Sequence, residues 1–121
     1  MPVKHSRDVP AQLVKAGDLT SMQVLISAQE APHFAMRRFV MEPGGGMPKH
    51  TNTLEHEQYV LQGHAMIGIG DEELEVKAGD VVFIPEGIPH WYQNIGDENF
   101  EFLCIIPNKT DVITLVEEKN C

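Results

Sequence analysis

His50 and His56 lie six residues apart in the stretch His50-Thr51-Asn52-Thr53-Leu54-Glu55-His56-Glu57, with Asn52 between them. If this segment is extended, His50 and Asn52 are two apart and leave the same face of a strand. A tight turn at Thr53-Leu54-Glu55 would then return the chain and present His56 opposite them. A third imidazole, His90, stands far along the chain after the corner Pro85-Glu86-Gly87-Ile88-Pro89. Three imidazoles converging inside a small barrel make a facial set for a divalent cation and leave two or three coordination positions open. Three histidines hydrogen-bonded in turns and strands is the competing reading, and spacing does not separate the two. The other histidines carry less: His5 and His64 sit beside polar or turn residues without a partner at ligand spacing, and His33 follows Ala31-Pro32 as a loop residue.

Only a fold with many short strands would bring residues 50, 56 and 90 together, and the chain reads that way. From Phe34 onward, short apolar runs rich in Val, Ile and aromatics are divided by turn residues at nearly even intervals, the pattern of an all-β sandwich or barrel. The runs are FAMRRFVM, ending at Glu42-Pro43-Gly44-Gly45-Gly46, then EQYVLQ, HAMIGIG, LEVK, VVFIP, HWYQNI, FEFLCII and VITLVEE. Gly and Pro punctuate them. SMQVLIS at 21–27 alternates as an early strand, and residues 10–17 could form one helical turn between Pro10 and Gly17. The expected organisation is a single domain over 1–121: an N-terminal strand and turn region at 1–33, the barrel at 34–117 and a tail at 118–121.

Composition excludes several classes of partner. At 121 residues the chain has the size of one domain and can bury roughly two thirds of its unfolded surface. Eighteen acidic residues against nine Lys and Arg give a net charge of −9, and apart from Arg37-Arg38 the basic residues are scattered, so no stripe is available for nucleic acid. No apolar run reaches membrane-spanning length, and MPVKHSRDVP is not a secretion signal, so a cytoplasmic protein with no membrane partner is expected. Cys104 and Cys121 read as free thiols. Gly68-Ile69-Gly70 lacks the third glycine of a dinucleotide fingerprint and reads as a hairpin corner. Asp71-Glu72-Glu73 reads as a solvated turn that blunts an edge.

At the histidine segments the sequence resembles the cupin superfamily. Its second motif, a glycine, five residues, Pro, any residue, Gly, two residues, His, three residues and Asn, is met in full by Gly79, Pro85, Gly87, His90 and Asn94. Its first motif is met at Gly44, His50 and Gly63 but departs twice: Asn52 stands where a second His is expected, and His56 where a Glu is expected. The second departure, inside LEHEQYVLQG, resembles small thermophile-type cupins that hold manganese or a similar ion with four histidines, and the likeness extends to APHFAMRRF, EPGG and FEFLCIIP. The resemblance implies a double-stranded β-helix, or jelly-roll barrel, a homodimer, and a site with His50, His56 and His90 as ligands to one divalent ion, Mn, Fe, Ni or Zn. Asn52 would coordinate loosely, hold a metal-bound water or stay out, a neutral amide oxygen being a harder and weaker donor than imidazole.

Strand parity adds a pocket. Glu101 places its own face of FEFLCII toward solvent and so turns Phe102 and Cys104 inward. Cys104 is then either a redox-active thiol near the ion or a small apolar filler. His90, Tyr92 and Asn94 share a face, as do His56, Gln58 and Val60, whereas Glu55 and Glu57 point away. Parity does not choose between Arg37 and Arg38; the resemblance turns Arg37 inward to meet a carboxylate, and a surface or interface salt bridge is the alternative. Trp91 is assigned to packing or to the dimer contact. The expected function is a metal-dependent oxidoreductase, dioxygenase- or peroxidase-like, acting on a small oxygenated or unsaturated compound. A noncatalytic module binding a small acid or sugar with a structural metal, and a metal-assisted isomerase, are the alternatives.

Overall fold

The computed structural model describes residues 2–116. After one 3-10 turn at Ser6–Asp8, the chain forms ten strands: β1 Ala11–Leu13, β2 Asp18–Ile26, β3 Phe34–Thr51, β4 His56–Gln62, β5 His64–Ile69, β6 Glu72–Lys77, β7 Val81–Ile84, β8 His90–Asn94, β9 Phe100–Pro107 and β10 Thr114–Leu115. They make one curled sheet whose main path runs β6-β5-β8-β3-β9-β4-β7, the expected all-β double-stranded β-helix in a single domain. Backbone bonds from Val60 N to Asp80 O and from Ala78 N to Gly63 O carry the β4–β7 and β5–β6 ladders past the strand ends. The tail at 118–121, Cys121 and the end of VITLVEE lie outside the described residues.

β3 organises the barrel because it takes different neighbours along its length. Residues 34–41 pair with β9, while Gly46, Met47 and His50 pair with β8. The stretch Glu42-Pro43-Gly44-Gly45-Gly46, expected to end this strand, is instead part of it. Glycine is what permits this at Gly46: a Cβ there would collide with the Tyr92 carbonyl, so only glycine lets β3 lie against β8. Beneath the crossing lies the core, with Phe39, Met41, Val60, Ile67, Ile84, Phe100 and Phe102 all buried.

Three further expectations are corrected. Residues 10–17 contain no helical turn; Ala11–Leu13 pairs antiparallel with β2 at Gln23, Met22 and Ser21. So short a segment gains too few internal hydrogen bonds to nucleate a helix, and the flank of β2 offers it partners at once. The turn at residues 53–55 does not close a hairpin, because β9 lies between β3 and β4. His56 nonetheless lines the same interior pocket as His50. Finally, Glu101 does not mark a solvent face: it is 9% exposed and ion-paired to Arg38. Neutralisation by a cross-strand arginine lets a carboxylate be covered. Phe102 and Cys104 point inward all the same, since Leu103 and Ile105 share the face of Glu101.

Candidate metal centre and ligand pocket

Each histidine is placed by a different element. His50 closes the second half of β3, His56 opens β4 and His90 opens β8. His50 and His90 are register partners, with ring centroids 4.2 Å apart; His56 and His90 are 5.4 Å apart at 70°. Imidazoles bound at about 2.1 Å and at right angles around one ion would hold their centroids about 4.5 Å apart, a value that the two separations bracket. Among the described residues no group of three or more His, Cys, Asp or Glu side chains stands close enough, as placed, to hold a metal ion. A common ion therefore requires the rings to draw together from these positions.

Nitrogen partners favour that use. His50 Nδ1 lies 2.8 Å from Pro48 O, and His90 Nδ1 lies 3.0 Å from Ile88 O. A carbonyl only accepts, so each Nδ1 carries the hydrogen and each Nε2 is left with its lone pair. His56 Nδ1 lies 3.6 Å from Cys104 Sγ. Burial, with the Arg37 charge second, pushes the His56 imidazole down to about 3. Burial likewise pushes His90 down to about 4. Both are thus neutral near pH 7, the form in which imidazole binds a cation.

Asn52 completes the wall. It is 6% exposed, its Nδ2 donates to Asp111 Oδ2 at 3.0 Å, and its Oδ1 is buried without a partner. An orphaned amide oxygen beside three imidazole nitrogens fits a divalent cation, so the donor set is chemically suitable for the group that the motif implies. The second motif reaches the same point through its backbone, since Gly87, at φ 77°, donates its N–H to Asn52 O at 2.7 Å.

The four residues open into a pocket of about 200 Å³. Leu13, Val14, Met22, Phe39, Met47 and Phe102 supply apolar walls, and Ile113 and Leu115 come from the C-terminal segment. Tyr92 and Phe102 stack at 5.3 Å, as do Phe102 and Phe39 at 5.1 Å. Gln58 Nε2 donates to Tyr92 Oη at 2.7 Å, which leaves the phenol hydrogen free to be given to a ligand. Burial raises the Tyr92 pKa, so that hydrogen is retained.

Arg37, not Arg38, lines the pocket. Its guanidinium lies 5.1 Å from the Phe39 ring centroid, its Nη2 is 3.6 Å from Cys104 Sγ, and its Nε is buried without an acceptor. Cys104 is buried and within 3.7 Å of Gln58 Nε2, and burial holds its thiol above the usual range. Asn94 is in the motif but outside the pocket wall: it donates to Met41 O and Glu98 O and accepts from Gly96 N, bracing a turn. Glu55 and Glu57 are exposed, as expected. Trp91 lies across Gly68 of β5, a packing role. Of the other histidines, His5 accepts from Arg7 N, and His64 lies 3.4 Å from Glu75. Sequence reasoning missed Asp111, whose only signal was an acid within a turn-rich segment. A more open hollow of about 830 Å³, lined by Val3, Lys4, Glu30 and Met36 among others, contains no histidine.

Comparison with known proteins agrees with this fold. The cupin domain model matches residues 37–106, and the chain belongs to the cupin family. It is similar to the oxalate-binding protein of Thermotoga maritima, 29% identical over 112 residues that cover 88% of this chain and 93% of that one. It is also similar to an uncharacterised protein of Methanocaldococcus jannaschii, 38% identical over 52 residues, 43% of this chain and 42% of that protein's length. Among solved structures, the polyketide cyclase RemF of Streptomyces resistomycificus superposes with a TM-score of 0.90 and 30% identity, covering 98% of this chain and 87% of that one. No helix among the described residues is long and apolar enough to cross a membrane.

Proposed function

We propose that this cupin holds one divalent ion, Mn, Fe, Ni or Zn, on His50, His56 and His90 with Asn52 beside it, and uses it to bind and transform a small oxygenated or unsaturated compound. The observation that carries the reading is the gathering of three buried imidazoles on one pocket, two of which, His50 and His90, hold Nδ1 against a carbonyl and so leave Nε2 for a cation. A bound cation supplies a Lewis acid and, if redox-active, an electron donor or acceptor. The chain's residues do the rest. Arg37 pairs with an anionic oxygen through its unpartnered Nε, Tyr92 donates its phenol hydrogen, and the apolar walls exclude water and select a partly apolar ligand. Among the described residues no carboxylate lines the pocket, so the base must come from elsewhere than an acidic side chain.

The chemistry proposed first is oxidoreductase turnover of the dioxygenase or peroxidase type. Carbonyl or double-bond chemistry without oxidant is the second reading, favoured by the 30% identity to a polyketide cyclase over nearly the whole chain. A binding protein for a small acid is the noncatalytic form of the proposal; oxalate is its first probe, because the Thermotoga maritima relative is named for binding it. The protein is loaded with Mn²⁺, Fe²⁺ or Zn²⁺ and turnover of enolic and aromatic compounds is followed with and without oxygen or peroxide. Consumption of oxidant that is lost in His90→Ala supports the first chemistry. Turnover without oxidant supports the second. Stabilisation by ligand that survives exchange for Zn²⁺, with no turnover, leaves only binding. A homodimer and a cytoplasmic setting belong to the same proposal; the buried free thiol of Cys104 suits a reducing compartment.

A further inference from the structure

We infer that Asp111 acts as a clasp that fixes the Asn52 amide with its oxygen toward the imidazoles, making that oxygen a fourth direct donor and weakening the site's preference for zinc over manganese. The inference rests on the metal reading above and deepens it. Asn52 can present either end of its amide, and its contact with Asp111 decides which. Its backbone is pinned, since Gly87 N donates to Asn52 O at 2.7 Å. Asp111 Oδ2 receives Nδ2 at 3.0 Å, and a carboxylate only accepts, so the amide nitrogen must face outward. The oxygen is consequently aimed inward, where it is buried and has no partner.

Asp111 is itself held. Its Oδ1 accepts from Thr53 N at 3.1 Å and lies 3.3 Å from Thr53 Oγ1, and that hydroxyl accepts from Val112 N at 2.9 Å. These bonds join the segment between β9 and β10 to the residue after Asn52, so rotation of the amide would break a network and not one bond. A carboxylate behind the amide nitrogen also draws electron density onto the amide oxygen, as partners behind a ligand raise its donor strength. Imidazole suits zinc and nickel well, whereas a carbonyl oxygen suits manganese, so exchanging one nitrogen for this oxygen narrows the gap between the two ions.

The full chain is stripped of metal and titrated with Mn²⁺ alone or Zn²⁺ alone, free Mn²⁺ being read by electron paramagnetic resonance and Zn²⁺ by competition. Asp111→Asn, which keeps the shape but cannot receive both Asn52 and Thr53, should weaken Mn²⁺ binding about 10- to 100-fold. Asn52→Ala should do the same, and the double variant should be no weaker than Asn52→Ala, because the clasp has nothing left to orient. Asn52→His should raise the Zn²⁺ to Mn²⁺ affinity ratio about tenfold or more. With Co²⁺, both single variants should change the visible absorption of the bound ion, which a purely structural role for Asp111 would not do. Asn52→Ala that leaves Mn²⁺ affinity within about twofold, or losses that multiply in the double variant, would overturn the inference while the three-histidine reading stands. Uptake of neither ion by the wild-type chain, or binding that His90→Ala does not disturb, would overturn both.

Discussion

The fixed tautomers at His50 and His90 are a property of single residues with consequences that can be measured. Each Nδ1 faces a carbonyl two residues earlier in the chain, Pro48 O or Ile88 O, so the same local backbone turn that carries the ring also selects its free nitrogen. Removal of any one imidazole should therefore reduce bound metal strongly. Elemental analysis of untagged His50→Ala, His56→Ala and His90→Ala should each show near-complete loss, and retention by any of them would exclude that ring as a ligand. In the metal-free protein the same burial makes stability depend on pH. The unfolded chain's histidines protonate near 6.5, while His56 and His90 in the fold resist protonation to about 3 and about 4. Between those limits the unfolded chain binds more protons, so stability is full above about pH 6.5 and falls as pH drops toward 4. The loss is on the order of a few kcal/mol. Thermal melts from about pH 7 down to about pH 4 should show a steadily falling midpoint, and a flat profile would mean that the rings are solvated in the fold.

At the scale of elements, the crossing of β3 over β8 sets the site. Gly46 brings the two strands into contact just before the register shift between Met47 and His50, and that shift aligns His50 with His90. Gly46→Ala should cost about 1–3 kcal/mol, because a methyl group meets backbone that cannot retreat. A chemical denaturation midpoint unchanged from wild type would show that β3 and β8 can part without cost. Below the crossing, Phe102 stacks between Phe39 and Tyr92 and touches Phe100. Phe102→Ala should destabilise by about 3–5 kcal/mol and enlarge the pocket at once. Phe102→Leu should lose less stability, which separates packing from pocket shape.

Over the whole molecule, the curled sheet leaves a strip of large apolar side chains facing out along β4 and β7. Tyr59, Leu61, Val81 and Phe83 are 48%, 40%, 76% and 57% exposed, and β7, which carries two of them, ends the main strand path. Such a strip beside a sheet edge is a cost that association with a second copy would relieve. Light scattering at micromolar concentration should give a dimer mass, and Phe83→Asp should shift it toward the monomer. A monomer mass for the wild-type chain would remove the dimer from the proposal.

Much of this was legible in the residues themselves. Alternation and turn residues marked strands β2 and β4–β9 within a few positions, and the spacing of Gly79, Pro85, Gly87, His90 and Asn94 marked the histidine corner, because those signals are local: a period of two and a fixed φ are written in consecutive residues. Parity also placed His90, Tyr92, Gln58, Phe102 and Cys104 on inward faces. What the sequence left open were relations between distant segments. Arg37 and Arg38 alternate on equally apolar faces, so parity left the choice to the family resemblance; in the fold Arg38 pairs with Glu101 from β9 and Arg37 lines the pocket. The passage of β3 through Pro43 to Gly46 depended on what β8 placed beside it. Asp111, 59 residues from Asn52, orients its amide through a contact that no local pattern encodes. Chain chemistry thus determined which donors exist, and three-dimensional closure decided which way each one points, since orientation is fixed by neighbours supplied from elsewhere in the chain.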